Sequence, residues 1–121
     1  MSTSALAYGY VRLSRADSRR LEQLRRQIAA YCDREGLALE LVFADAGAPD
    51  TEPVRPGWIA LLDVLALSRA EAVVMLPALE HLSRDPVLRA EMRTCITASG
   101  ARAAIMPAAA EARARQRDAQ E

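Results

Sequence analysis

An arginine and a serine stand two positions apart where a predicted strand should end. The stretch YGYVRLSRAD, residues 8 to 17, contains this pair as Arg12 and Ser14. Residues i and i+2 of a strand point the same way, so the guanidinium and the hydroxyl should face a common point. A serine hydroxyl is a potential nucleophile, and a guanidinium binds phosphate oxygens while staying protonated. The pair indicates chemistry on a phosphate.

Two further polar groups follow predicted strands. Asp45 precedes a long loop that carries Arg55, and Glu80, His81 and Arg84 follow an apolar strand. Three arginines placed around one serine would suit phosphoryl transfer, because they stabilise the charge that develops when the hydroxyl attacks phosphorus.

Each of these residues also has an ordinary structural interpretation. Ser14 could cap the following helix, with Asp17 at the fourth place of a capping box. Asp45 could be a turn former, and His81, the sole histidine, could be an exposed side chain. The 16 basic residues are all arginine, so one arginine alone means little. Taken singly, the ordinary interpretation is favoured for every residue; it is their combination that points to function.

Hydrophobic periodicity predicts alternating strands and helices. Strands are expected over 5–11, 37–43, 70–76 and 101–107, and helices over 18–36, 57–67 and 86–100. Asp85 is the predicted N-cap of the last helix, and residues 44–57 form a loop with three prolines and two glycines. This order predicts an α/β fold: a single domain with a mostly parallel sheet flanked by helices on both faces. The three polar groups then meet at the carboxyl edge of the sheet.

Composition narrows the function classes. The chain has 121 residues, 51% of them hydrophobic, and a formal net charge of zero, so no global field draws it to nucleic acid or to an anionic membrane. Cys32 and Cys95 fall within helix-like patterns and are predicted to be buried, reduced thiols, which fits a cytoplasmic location. We find no apolar run long enough to span a bilayer.

Three segments taken together resemble a known family. YGYVRLS, FADAGAPD followed by VRPGW, and AVVMLPALEHLSRD occur in this order and at these spacings. They resemble the catalytic domain of the serine recombinases, the resolvase/invertase family, over about residues 7 to 107. That family typically reads Tyr-x-Arg-Val-Ser, then Asp-x-Gly-x-Ser-Gly and Arg-Pro-Gly, then Asp-Arg-Leu-Ser-Arg.

The resemblance implies a site-specific DNA recombinase that cleaves and rejoins strands through a 5′-phosphoserine intermediate. Ser14 matches the nucleophile, and Arg12, Arg55 and Arg84 match three catalytic arginines. Asp45 matches an acidic position that helps to arrange the site. No metal or other cofactor is implied, since the arginines take that role. The partners implied are DNA and further recombinase subunits of the same kind.

The chain also departs from the family pattern. Glu80 and His81 replace Asp-Arg, Leu24 replaces a glutamine, and Pro49-Asp50 replaces Ser-Gly. Residues 108–121 form a polar tail, expected to be helical or disordered and read as a stub of the family's long dimerisation helix. A protonated His81 is expected to stand in for the missing arginine by donating one hydrogen bond to phosphate.

These departures leave alternative functions open. The domain is expected to bind DNA weakly alone and to need a homo-oligomer or a full-length recombinase as partner. It could instead be a degenerate domain that modulates such a partner, or a remnant of one. A nucleotide binder of the flavodoxin type ranks last, because no glycine-rich phosphate loop follows the first strand.

Overall fold

Strands and helices alternate along the part of the chain that the structure, a computed structural model, describes: residues 5–49, 55–68 and 71–107. The elements in chain order are β1 (Leu6–Leu13), α1 (Ser18–Arg34), β2 (Ala38–Ala46), α2 (Pro56–Leu67), β3 (Ala72–Leu76), a 3-10 turn (Leu79–His81), α3 (Pro86–Ala98) and β4 (Arg102–Ile105). The predicted tail over 108–121 and Asp50, one of the residues that replace Ser-Gly, lie outside the described residues.

The strands form one parallel sheet in the order β2-β1-β3-β4. The α/β prediction is confirmed. β1 pairs with β2 from Leu6 to Leu13, but its pairing with β3 stops at Gly9. The last four residues of β1 therefore extend beyond the ladder with β3. This unequal pairing determines how the site is built.

Helices cover both faces of the sheet. α1 buries one stripe of side chains, Leu24, Ile28 and Cys32, whose spacing of four residues is that of a helix face. This stripe packs on the face of β1 that presents Ala7 and Val11. The opposite face carries α2 and α3, packed on the alternate strand residues. The buried members of that second core include Tyr8, Tyr10, Trp58, Leu61, Leu65, Val74, Met92 and Ile96.

Several predicted boundaries need correction. β1 and β2 run further than predicted, so Arg12 and Asp45 lie within strands and are direct neighbours across the ladder. Pairing with the central strand outweighs the turn tendency of the Asp-Ala-Gly stretch. β4 is shorter than predicted. The caps agree with the prediction: Asp85 accepts a hydrogen bond from the Val87 amide, and Pro86 occupies the first turn of α3.

The two cysteines differ in environment. Cys32 is fully buried, whereas Cys95 is exposed, so the prediction of a buried thiol was wrong for Cys95. α3 turns Met92 and Ile96 to the core, and Cys95 lies just outside that stripe. None of the helices within the described ranges is long and apolar enough to cross a membrane.

Candidate functional site

Asp45 caps the start of α2 from the neighbouring strand. Its carboxylate accepts hydrogen bonds from the Gly57 amide at 2.7 Å and the Trp58 amide at 2.9 Å. The Tyr10 hydroxyl donates a third, at 2.7 Å. Helix N-termini favour negative charge and leave amides to be satisfied, so this buried carboxylate joins β2, β1 and α2. The turn-former interpretation of Asp45 does not describe what it does.

Gly57 makes that close approach possible. A Cβ at this position would lie 2.6 Å from the Ala44 carbonyl oxygen and 2.9 Å from Asp45 Oδ2. The first is a backbone atom of β2, and the second belongs to a carboxylate held by the Tyr10 hydroxyl and the Trp58 amide, so room for a Cβ requires the strand and the helix to move apart. This close contact with β2 explains why the third residue of the Arg-Pro-Gly stretch is a glycine.

Gly57→Ala is expected to lower the free energy of unfolding by about 1–3 kcal/mol, as overpacking typically does. The sign is informative, because Gly to Ala inside a helix normally stabilises by about 0.5–1 kcal/mol. Urea denaturation of the two proteins measures the difference. A more stable Gly57→Ala protein would show that the strand and helix are not held in this contact.

Arg55 is fully buried and turned toward the protein. Its Nη1 donates to the Leu82 carbonyl at 2.6 Å, and at 3.4 Å to both the His81 carbonyl and the Tyr10 hydroxyl. The guanidinium therefore ties the start of α2 to the segment after β3. In this conformation Arg55 is a structural link, and its expected contact with phosphate stays a prediction.

Arg12 connects the segments on either side of β1. Its Nη1 donates to the Ala48 carbonyl beyond β2, and its Nη2 donates to the Glu80 carbonyl in the 3-10 turn, both at 3.2 Å. Its backbone amide donates to His81 Nδ1 at 3.1 Å. The side chain is 8% exposed. Arg12 thus holds together the ends of three strands at the carboxyl edge.

Ser14 and Arg84 are exposed at this same edge. Ser14 is the first residue after β1, and Arg84 lies between the 3-10 turn and α3. The N-cap of α1 is Asp17, whose side chain accepts from the Arg20 amide at 3.0 Å. The helix-capping alternative for Ser14 is therefore excluded, and its hydroxyl is presented to solvent.

The buried hydroxyl of Tyr10 belongs to the same network. Burial raises the pKa of Tyr10 strongly, and the nearby Asp45 carboxylate raises it further. Tyr10 stays protonated and remains a donor to Asp45. Its ring packs edge-on against Trp58, with ring centroids 5.3 Å apart. Sequence reasoning missed Tyr10, although it lies two residues before Arg12 on the same side of the strand.

The surroundings of His81 within the protein favour its neutral form. Burial lowers the pKa of His81, and the charge of Arg12 lowers it further. The imidazole is half-buried, and its Nδ1 accepts a hydrogen bond, which a protonated Nδ1 cannot do. His81 is therefore not an ordinary exposed side chain, and its expected contact with phosphate as a protonated donor stays a prediction.

The predicted site residues are thus brought to one edge in two layers. The buried layer comprises Arg12, Asp45 and Arg55, joined by Tyr10 and the 3-10 turn. The exposed layer comprises Ser14, Glu80 and Arg84. Within residues 5–49, 55–68 and 71–107, no group of three or more His, Cys, Asp and Glu side chains could hold a metal ion.

Comparisons with known proteins agree with this architecture. The family model of the resolvase N-terminal domain matches residues 7–118. The crystal structure of the C-terminal catalytic domain of ISC1926 TnpA, an IS607-like serine recombinase, superposes with a TM-score of 0.72 at 20% identity, covering 83% of this chain and 67% of that one. The N-terminal catalytic domain of TP901-1 integrase gives 0.63 at 18% identity, covering 79% and 72%. A comparison with curated proteins gave no significant match. At these identities the two solved structures show a shared fold.

Proposed function

The chain belongs to the resolvase N-terminal domain family, the catalytic domains of serine recombinases, and on that premise we propose that it cleaves and rejoins DNA strands through Ser14. The observation that carries the proposal is the position of Ser14. It is an exposed hydroxyl at the end of the central strand, directly after a segment fixed on both sides by hydrogen bonds.

The proposed reaction is a transesterification. Ser14 Oγ attacks the phosphorus of a DNA phosphodiester and loses its proton as the Oγ–P bond forms. The bond from phosphorus to the 3′ oxygen breaks, and that oxygen takes up one proton and leaves as a hydroxyl, which balances the proton given up by Ser14. The product is a 5′-phosphoserine link, and attack by a 3′ hydroxyl on that link reverses the step. Ester is exchanged for ester, so rejoining needs no energy source.

The three arginines are assigned different roles in this reaction because one is exposed and two are buried. We assign Arg84 the contact with the reacting phosphate, because its guanidinium lies in the exposed layer. Arg12 and Arg55 hold the strand ends with their hydrogen bonds to backbone carbonyls, and Asp45 fixes α2 to them. A fixed, preorganised site of this kind is what charge stabilisation in a transition state requires.

Arg84→Gln is expected to lower the yield of the Ser14–DNA adduct by about 10²-fold, the typical effect of losing one donor to a developing charge. Urea denaturation of the same variant separates a loss of chemistry from a loss of stability, because Arg84 also has an interaction within the protein. Arg93→Gln, at an exposed position of α3, is the matched control for loss of one positive charge. Equal yields from the two variants would remove Arg84 from the proposed chemistry.

The direct test of the function is a covalent adduct with DNA. The full chain is incubated at high concentration with a nicked duplex, because a chain of zero net charge should bind DNA weakly. The strand to be cleaved is labelled at its 3′ end, so that the label stays on the fragment whose 5′ phosphate joins Ser14. A labelled species that survives denaturation and is lost on protease treatment is expected. No such species at any protein concentration, with a full-length serine recombinase as positive control, would contradict the proposal.

The second candidate is a domain that binds and modulates a full-length recombinase without cutting DNA itself. The orientation of His81 favours it, since its Nδ1 is engaged by the Arg12 amide at a position where the family has an arginine. This candidate predicts no adduct from the chain alone, and a changed rate of strand exchange when it is added to a recombinase that it binds. A DNA adduct formed by the isolated chain would contradict this second candidate, because it would show that the domain cuts DNA itself.

A further inference from the structure

The end of β1 lacks a strand partner on one side, and a side chain takes that place. Amides of the even-numbered residues of β1 point toward β3, as the Leu6 amide does when it donates to the Glu71 carbonyl at 3.3 Å. The ladder with β3 ends at Gly9, so the Arg12 amide has passed the last residue pair of the two strands. It donates instead to His81 Nδ1, at 3.1 Å.

On the opposite side the same segment is held by backbone groups. The Leu13 carbonyl accepts from the Gly47 amide at 2.8 Å and from the Ala48 amide at 3.1 Å. The backbone of Arg12 and Leu13 is therefore held on both sides, by His81 on one and by Gly47 and Ala48 on the other, and the Arg12 guanidinium adds a bond on each side. Ser14 follows this segment directly, so the direction in which its hydroxyl leaves the sheet depends on these tethers on both sides.

We infer that His81 is a positioning residue: its neutral imidazole accepts a hydrogen bond from β1 beyond the end of the ladder with β3 and thereby fixes the segment that presents Ser14. The histidine acts as an acceptor through Nδ1, with its proton on Nε2. This role is unlike that of an arginine, which has donors alone and could not accept the Arg12 amide. The consequence for strand cleavage rests on the proposed function, but the contact itself does not.

Protonation would break this contact. A protonated imidazole has N–H groups at both nitrogens, so Nδ1 would then face the Arg12 amide as a second donor. The charged groups that act on the imidazole are Arg12 on β1, Glu80 in the 3-10 turn and Arg20 on α1. His81 also lines a cavity whose other charged members on α1 are Asp33 and Arg34. Arg55 donates to the backbone carbonyl of His81. Burial and the charge of the Arg12 guanidinium lower the pKa of His81, and they outweigh the backbone of Arg12 and the Glu80 carboxylate, which raise it.

The direction of the pH dependence follows. The ordinary pKa of histidine is about 6.5, so an unfolded chain takes up this proton before the folded protein does. The tether is intact above that pH. It is lost as the pH falls through the lowered pKa of the folded protein. Acidification should therefore loosen the Ser14 segment, opposite to the effect expected if a protonated His81 assisted cleavage.

Amide hydrogen exchange measured by NMR, without DNA, tests the inference. Protection factors of the Arg12 amide are compared between pH 7.5 and the acid limit of folding in the unmodified protein, His81→Asn and His81→Leu. Asparagine places an acceptor oxygen near the Nδ1 position and has no proton to take up, whereas leucine has no acceptor. The Leu6 amide is the internal control, since it lies on the same side of β1 and donates to a backbone carbonyl.

At neutral pH we expect the Arg12 amide to be about fivefold or more less protected in His81→Leu than in the other two proteins. On acidification the unmodified protein should fall to the level of His81→Leu, while His81→Asn keeps its protection and Leu6 changes little in all three. Equal protection of Arg12 in His81→Leu and the unmodified protein would overturn the inference. So would an identical acid-induced loss in His81→Asn. If His81→Leu fails to fold, the comparison with His81→Asn decides alone.

This experiment separates the inference from the proposed function. Loss of Arg12 protection as described, together with no DNA adduct, would leave His81 as the structural tether and remove the recombinase chemistry. An adduct whose yield is unchanged in His81→Leu would keep the chemistry and remove the positioning role.

Discussion

Ser14→Ala should abolish the covalent protein–DNA adduct, with a loss of about 10⁴-fold or more, because no other group replaces a deleted nucleophile. The side chain is exposed and does not cap α1, since Asp17 does so. The free energy of unfolding should therefore change by less than about 0.5 kcal/mol. Adduct yield on a denaturing gel and urea denaturation measure the two effects.

Ser18→Ala is the matched control for that substitution. Ser18 is the first residue of α1 and is also exposed. Its substitution removes a hydroxyl close to Ser14 in sequence and leaves the proposed nucleophile in place. Adduct yield should be close to that of the unmodified protein. An adduct that persists in Ser14→Ala, or disappears in Ser18→Ala alone, would place the nucleophile elsewhere.

Arg55→Ala should have the largest effect on stability, lowering the free energy of unfolding by about 3–5 kcal/mol. The substitution leaves a cavity in place of a fully buried side chain and removes the donor to the Leu82 and His81 carbonyls. The free energy of unfolding of a small domain is about 5–15 kcal/mol in total. The Arg55→Ala protein should therefore be only marginally stable at moderate temperature.

Thermal and urea denaturation followed by circular dichroism measure this loss. Arg25→Ala, at an exposed position of α1, is the control for removal of an arginine from an arginine-rich chain, and should cost less than about 0.5 kcal/mol. An Arg55→Ala protein as stable as Arg25→Ala would mean that Arg55 does not hold α2 to the segment after β3.

The alternation of strands and helices could be predicted from sequence because each element carries its own periodicity. Leu24, Ile28 and Cys32 form a helical stripe, and Ala72 to Leu76 form a continuous apolar strand, as a sheet covered on both faces requires. The end of β2 could not be predicted in this way. Its Ala-Asp-Ala residues become strand through pairing with β1, which local sequence does not encode.

The location of the site could be predicted from the sequence better than the orientations of its side chains. Polar residues after apolar strands indicated the carboxyl edge, because parallel strands end together there. Which arginine is buried depends on the packing of α2 against β2, where Gly57 allows Asp45 to reach the helix. The orientation of His81 depends on β3 ending before β1, and that is a property of the assembled sheet.

Identification of the residue that carries the DNA phosphate tests the central claim most directly. After incubation with the nicked duplex, the adduct is digested with nuclease and with a protease that cuts after aromatic residues, giving a peptide from Val11 to Tyr31. This peptide contains two serines, Ser14 and Ser18, and fragmentation by mass spectrometry distinguishes them. We expect a nucleotide 5′-phosphate on Ser14, lost in Ser14→Ala. A phosphate on any other residue, or an unmodified peptide from a confirmed adduct, would contradict the assignment of Ser14 as the nucleophile.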